Sequence, residues 1–244
     1  MIEKKPYLMG DTHGDEFIMC NLVKDLNEKD IVIHVGDHGI NFFGNNVHDL
    51  HLKEQLSKTK PIWIFVKGNH DRDFHIECQS IENYEYKYYE GNGIKGNFYI
   101  DDRFPNQLFC NDYNLFTIDD KQYLTINGAF SVDGEYRRRR GWTWFEDEQL
   151  SDDTIAQFKQ ECIFNTIPHK VDYIITHTCP LKYEPTHLFL PFIDQSKVDK
   201  KTEVFLDWID ENIEYQHWYF GHYHNNEDTW NKGTMLFESI KRVD

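Results

Sequence analysis

Apolar runs that each end in a metal-ligand type of side chain recur along this chain, and they constrain its fold more than any other feature. "YLMGDTHG" leads to Asp11 and His13, "VIHVGDHG" to Asp37, "IFVKGNHD" to Asn69 and His70, "YIITHTCP" to His177, and "YFGHYHNN" to His222 and His224. Amphipathic stretches, "EFIMCNLVKDLN" and "VHDLHLKEQL", separate the first three, which is the strand and helix alternation of an α/β sheet. In such sheets sites assemble at the carboxyl ends of strands, where turns expose side chains around a common crevice.

From about residue 97 to residue 144 the pattern changes to short alternating segments with hairpin-type turns, clearest in "NLFTIDDKQYLTING". A second, largely antiparallel sheet is expected there. A helix near Ser151 to Ile163, a strand "VDYIITH", a helix "DKKTEVFLDWIDENI", a strand "HWYFGH" and a hairpin "EDTWNKGTMLFESI" complete the chain. Its 244 residues contain no repeat and no Pro/Gly/Ser linker, so one domain over residues 1–244 is expected. "GNGIKG" matches the dinucleotide pattern G-x-G-x-x-G, but a strand or loop, not a helix, follows it, and it reads as a flexible connection.

Composition removes several function classes. Hydrophobic residues at 39% and aromatics at 16% exclude a disordered chain. No apolar run approaches the roughly 18 residues of a membrane span, and no signal peptide is visible, so a cytoplasmic protein without a membrane partner is expected. Five scattered cysteines (Cys20, Cys78, Cys110, Cys162, Cys179) without a C-x-x-C pair read as reduced and mostly buried. The net charge of -16 opposes binding of extended duplex nucleic acid. "YRRRRGW", with Arg137, Arg138, Arg139 and Arg140, reads either as a local anion site for substrate phosphate or as a solvated basic turn paired with nearby acids.

Taken singly, each ligand-type residue has an ordinary use: a histidine satisfied in a core, an Asp capping a turn, an Asn in a left-handed bend. Together they describe one constellation. Carboxylate, amide and imidazole without thiolate favour Mn, Fe, Zn or Ni, and eight residues are too many for one tetrahedral ion, so two metals are expected. Two ions about 3.5 to 4 Å apart share a bridging carboxylate and clamp both oxygens of an in-line phosphoryl displacement. His222 and His224 are expected to serve different ions. His34 reads as core, His38 as an outer neighbour of the site, and His48 and His51 as solvent-facing. Trp142 and Trp144, two apart, are expected on one strand face, as core or as a wall for ring stacking.

The ordered set D-x-H, G-D, G-N-H-D, an isolated H after a strand, and G-H-x-H, from Asp11 to His224, resembles the calcineurin-like metallophosphoesterases. "GAFSVDGEYRRRRGWTWF" looks like their small bacterial and phage members. The resemblance implies a four-layer α/β/β/α sandwich of two mixed sheets flanked by helices. It implies Asp11, His13 and His224 on one metal, Asn69, His177 and His222 on the other, and Asp37 between them. It further implies two divalent ions, manganese foremost, with iron, zinc, nickel or magnesium as alternatives. Asp37 and His70 are the catalytic pair, His70 being a non-ligand that faces the ester oxygen. The chain departs from the G-D-x-x-D-R-G segment of the protein phosphatases: Ile40 stands where that segment has its second Asp, so the group orienting His70 is open, Asp71 and Asp73 being nearest.

The expected activity is hydrolysis of phosphate esters by a bridging metal-bound hydroxide, with a small phosphoester or nucleotide preferred. The rivals are a Ser/Thr-type protein phosphatase, a nuclease and a non-catalytic metal-binding module. The first would carry the Arg of that segment, the second a basic groove, and the third would lack a ligand or His70; none of these features is present.

Overall fold

In the computed structural model, which describes residues 5–43, 47–74 and 84–243, thirteen strands form a single sheet. β1 (Tyr7–Met9), β2 (Ile31–His34) and β3 (Ile62–Phe65) pair in parallel. They are joined through α1 (Glu16–Val23) and α2 (Val47–Ser57). Parallel neighbours require such crossovers, because a tight turn cannot return the chain to the same end of the sheet. Asp15 caps α1 by accepting a 2.9 Å hydrogen bond from Ile18 N.

β4 (Tyr84–Gly91) and β5 (Ile94–Asp101) form a hairpin. Asn92 and Gly93 make its two-residue turn, both with positive φ (54° and 86°), the backbone that primed hairpin turns need. The glycine-rich stretch read as a flexible connection is therefore an ordered turn. β6 (Gln107–Phe109), β7 (Tyr113–Ile118) and β8 (Lys121–Ile126) follow, and β5 pairs with both β6 and β7. That pairing joins the two expected sheets into one.

The second half is less antiparallel than its sequence suggests. β8, β9 (Tyr173–Thr176), β10 (His217–Phe220) and β12 (Gly233–Met235) run parallel. Crossover helices account for the first two pairings, α3 (Gly134–Arg140) and α4 (Asp152–Ile163) between β8 and β9 and α5 (Lys201–Asn212) between β9 and β10, whereas β12 is reached from β10 through an intervening strand. Ser151 caps α4 through a 3.0 Å bond from Thr154 N. β11 (Glu227–Trp230) pairs antiparallel with β12, and β13 (Ile240–Arg242) closes the other edge against β1.

α3 lies where short strands were expected. Arginine is a strong helix former, Glu135 and Arg139 pair at i, i+4, and Gly141 ends the helix in the left-handed conformation (φ 68°). Trp142 and Trp144 thus fall after a helix and share no strand face. Trp142 packs edge-on against Tyr136 at the surface, whereas Trp144 lies under Arg138.

Three apolar clusters define the layers. The central one joins Leu8, Ile33 and Ile64 to Tyr173, Ile175 and Tyr219, so the two halves of the curled sheet face each other. A second packs β8 to β10 on α4 and α5 through Phe158, Phe205 and Trp218. The third packs β1 to β3 on α1 and α2 through Met19, Leu56 and Trp63. The order is helix, sheet, sheet, helix. Among the described residues no helix is long and apolar enough to cross a membrane. Cys110, Cys162 and Cys179 are buried free thiols and Cys20 is half-buried; Cys78 lies outside the described residues.

Candidate metal centre

Just beyond β1, β2 and β10 four residues hold positive φ: His13 (48°), Asp37 (52°), His222 (71°) and His224 (53°). For residues with a Cβ this backbone is strained, and such strain concentrates at functional sites. Cross-loop bonds hold it in place. His13 N donates to Asp37 O at 2.8 Å, Gly221 N to His177 O at 2.8 Å, and Glu238 N to Asp11 O at 3.1 Å.

The side chains converge as two adjoining sets. Asp11, His13 and His224 form one, with His13 Nε2 2.9 Å from His224 Nε2 and His224 Nε2 3.9 Å from Asp11 Oδ2. In the other, Asn69 Oδ1 lies 2.9 Å from His177 Nε2 and 3.1 Å from His222 Nδ1. Asp37 stands between them, with Oδ1 3.4 Å from His177 Nε2 and Oδ2 3.8 Å from His13 Nδ1. His222 and His224 face different sets, which they reach through left-handed bends beyond β10.

The arrangement fits divalent cations. Asp11 Oδ1 is wholly buried without a hydrogen-bond partner. Burial raises the Asp11 carboxyl to about 8 against the opposing pull of His177, with the charge of Asp37 adding to the rise, and a divalent cation beside it would favour the ionised form. Burial and the His177 charge hold His222 well below its usual range, and burial and His13 bring His224 down to about 4; both imidazoles are neutral, the form that ligates. At His177 burial opposes the charge, but Asp37 and Asp11 outweigh it and raise the group to about 9. The cradle is also tight. A Cβ on Gly221 would lie 1.9 Å from Asp11 Oδ1, one on Gly68 2.1 Å from Asp37 Oδ1, and one on Gly36 2.3 Å from His177 Nδ1.

His70 donates its backbone N–H to Asp37 Oδ1 at 2.8 Å, and its Nε2 lies 3.9 Å from Asp37 Oδ2. Burial depresses its pKa. Neither acid near it in sequence orients it. Asp71 accepts from the backbone N–H of His38, Gly39 and Gly68, and Asp73 faces Lys67 at 3.4 Å. The His70 ring instead packs edge-on to His13 and near Phe42. Ile40 is buried in the apolar cluster against α1 and α2.

Of the four arginines only Arg137 lines the cavities at this centre, held by Asp133 at 2.7 Å. Arg138 lies over Trp144, Arg139 pairs with Glu135, and Arg140 lies over Tyr136. All three are exposed, but only Arg139 is paired with an acid; Arg138 and Arg140 cover aromatic rings instead. His34 is fully buried and bonded to Thr12 Oγ1 at 3.0 Å; His38 is buried between Phe65 and Phe74 beside Asp71. His48 and His51 are exposed, and His51 pairs with Glu16.

Sequence reading passed over one relay. Ser131 Oγ receives Asn69 Nδ2 at 2.8 Å, while Glu148 accepts from Ser131 N at 3.1 Å and from Trp144 Nε1 at 3.0 Å. The clue was available: "YLTINGAFS" is another apolar strand ending in polar residues.

A curled α/β sheet with carboxylate, amide and imidazole side chains of the metal-ligand type gathered at its strand ends defines a metal-dependent hydrolase of the phosphoesterase class. The chain belongs to the calcineurin-like phosphoesterases, whose family model matches residues 5–226. Its fold is similar to that of a phosphopantetheinyl hydrolase from Mycobacterium tuberculosis, with a TM-score of 0.57 and 12% identity over 99% of this chain and 96% of that one. A protein of unknown function from Aquifex aeolicus is similar at a TM-score of 0.38 and 15% identity, over 87% of this chain and 88% of that one. No curated protein matches the chain in sequence.

Proposed function

We propose that this phosphoesterase hydrolyses small phosphate esters, nucleotides among them, at a dinuclear centre held by Asp11, His13, Asp37, Asn69, His177, His222 and His224. The observation that carries the reading is the position of Asp37, whose two oxygens face opposite ligand sets while its Oδ1 also accepts the backbone N–H of His70. Divalent ions bound there polarise phosphoryl oxygens and lower the pKa of water.

The chain's own groups supply the rest. Asn69, fixed by Ser131, presents its carbonyl oxygen to the second set. Arg137, shared by both cavities, holds non-bridging phosphate oxygens by charge-assisted hydrogen bonds. His70 Nε2 delivers a proton to the departing alkoxide oxygen, and its depressed pKa makes it a ready donor once protonated. Cavities of about 510 and 390 Å³ have room for a compact ester. The test is metal-dependent turnover of a panel of phosphomonoesters, phosphodiesters, nucleotides and phosphopeptides by purified protein. A side-by-side preference for the phosphopeptides would overturn the substrate assignment.

A further inference from the structure

A cavity of about 390 Å³ opens from the metal centre and continues past it. Beyond Asn69 and His222 its walls are apolar, formed by Leu188, Phe189, Ile193 and Val198. Four polar side chains interrupt this lining, Gln195, Lys200, Glu203 and Tyr223. Glu203 Oε2 and Gln195 Oε1 are both buried and have no hydrogen-bond partner. Leaving a buried acceptor unmatched costs about 1–3 kcal/mol, so two of them in one lobe of an enzyme cavity mark a place for a ligand that brings donors.

The charges around the lobe agree. Glu203, at the start of α5, is only 3% exposed, and its other oxygen accepts from Thr178 Oγ1 at 3.0 Å. Glu184 beside it is already matched, by Lys200 at 2.6 Å and by the Tyr223 hydroxyl at 3.3 Å. One lysine thus stands against two carboxylates, and the uncompensated one is Glu203.

We propose that this lobe binds the alcohol part of the substrate: an apolar segment whose far end carries an N–H donor that meets Glu203 Oε2 and Gln195 Oε1. The proposal rests on the phosphoesterase reading of the adjoining centre. An aliphatic amine and the exocyclic amino group of a nucleobase share the required chemistry. Burial lifts the Glu203 carboxyl to about 7, and a donor placed against it draws it to the ionised, accepting form.

The test compares kcat/KM at pH 8 for ω-aminoalkyl phosphates of two to eight carbons with n-alkyl phosphates of equal length. A second pair compares adenosine monophosphate with purine riboside monophosphate, which lacks the amino group. Glycerol phosphate is assayed alongside. The expected result is a preference of at least about tenfold for the amino-bearing ester, at one chain length or in the nucleotide pair, the arm that responds identifying the source. Glu203→Gln and, independently, Gln195→Leu should each bring that ratio toward one. The proposal is overturned if wild-type protein hydrolyses glycerol phosphate but shows no preference in either arm, or if the preference survives in both variants. Absence of metal-dependent turnover of any ester, glycerol phosphate included, would instead overturn the phosphoesterase reading beneath it.

Discussion

Asn69 donates its Nδ2 to Ser131 Oγ across 2.8 Å, and that bond decides which atom of the amide faces the histidines. With the nitrogen tied back, Oδ1 is left toward His177 and His222. Ser131→Ala frees the amide to rotate. Groups that orient metal ligands are worth about 10- to 100-fold in metal affinity, so a comparable loss is expected for the more weakly held ion. Titration of metal-free protein against a competing chelator measures it, and equal affinities in variant and wild type would refute the relay.

Asp37 and His70 adjoin but should fail differently. Asp37→Asn removes the charge shared by both ligand sets and should lower metal content together with rate. His70→Gln should keep both ions and lower mainly kcat, by about 10²- to 10⁴-fold, with a smaller effect on p-nitrophenyl esters, whose leaving group needs little protonation. Metal analysis of the two variants separates the roles. An emptied site in His70→Gln would make that residue a ligand.

Chelation should abolish turnover, and Mn²⁺ should restore it to metal-free protein. Full activity at a confirmed metal content of nil would sink the dinuclear assignment.

Arg137 is the member of the basic run that reaches the cavities. Charge-assisted hydrogen bonds contribute about 1.5–3 kcal/mol, so Arg137→Ala should cost roughly 10- to 100-fold in kcat/KM. Arg139→Ala and Arg140→Ala, on exposed side chains engaged with Glu135 and Tyr136, should leave it within about twofold. Steady-state kinetics on one small ester decides, and equal losses at all three positions would mean the effect is general field and not contact.

Glu203 makes stability depend on pH. Burial raises its carboxyl from 4.5 to about 7, so between those values the folded state keeps a proton that the unfolded state has released. Stability therefore falls as pH rises through that window, by about 3 kcal/mol in all at roughly 1.4 kcal/mol per pKa unit. Glu203→Gln, which cannot ionise, should melt several degrees above wild type at pH 8 and close to it at pH 5, both proteins being metal-free. A Tm difference that does not change with pH would show that Glu203 does not titrate in this range.

The candidate ligand set is legible in the residues because it obeys local rules. An apolar run of four or five residues makes a strand, and the residue type just beyond it reports what the strand end offers; Asp11, His13, Asp37, Asn69, His70, His177, His222 and His224 all follow that rule. Local logic misread the chain where short-range signals compete. The run Glu135 to Arg140 had helix formers, an i, i+4 ion pair and a terminal glycine, yet its position after a hairpin suggested strands. What only the tertiary structure decided are relations between segments distant along the chain. Ser131 meets Asn69, β5 joins the two halves of the sheet, Arg137 alone among the four arginines lines the cavities, and one oxygen of Glu203 is left unmatched beside a lysine that Glu184 already holds. No spacing rule encodes such contacts, because they depend on how distant segments pack together, which is set by burial of apolar faces such as Phe205, Leu206 and Ile209 of α5 and not by which polar side chains that burial brings together.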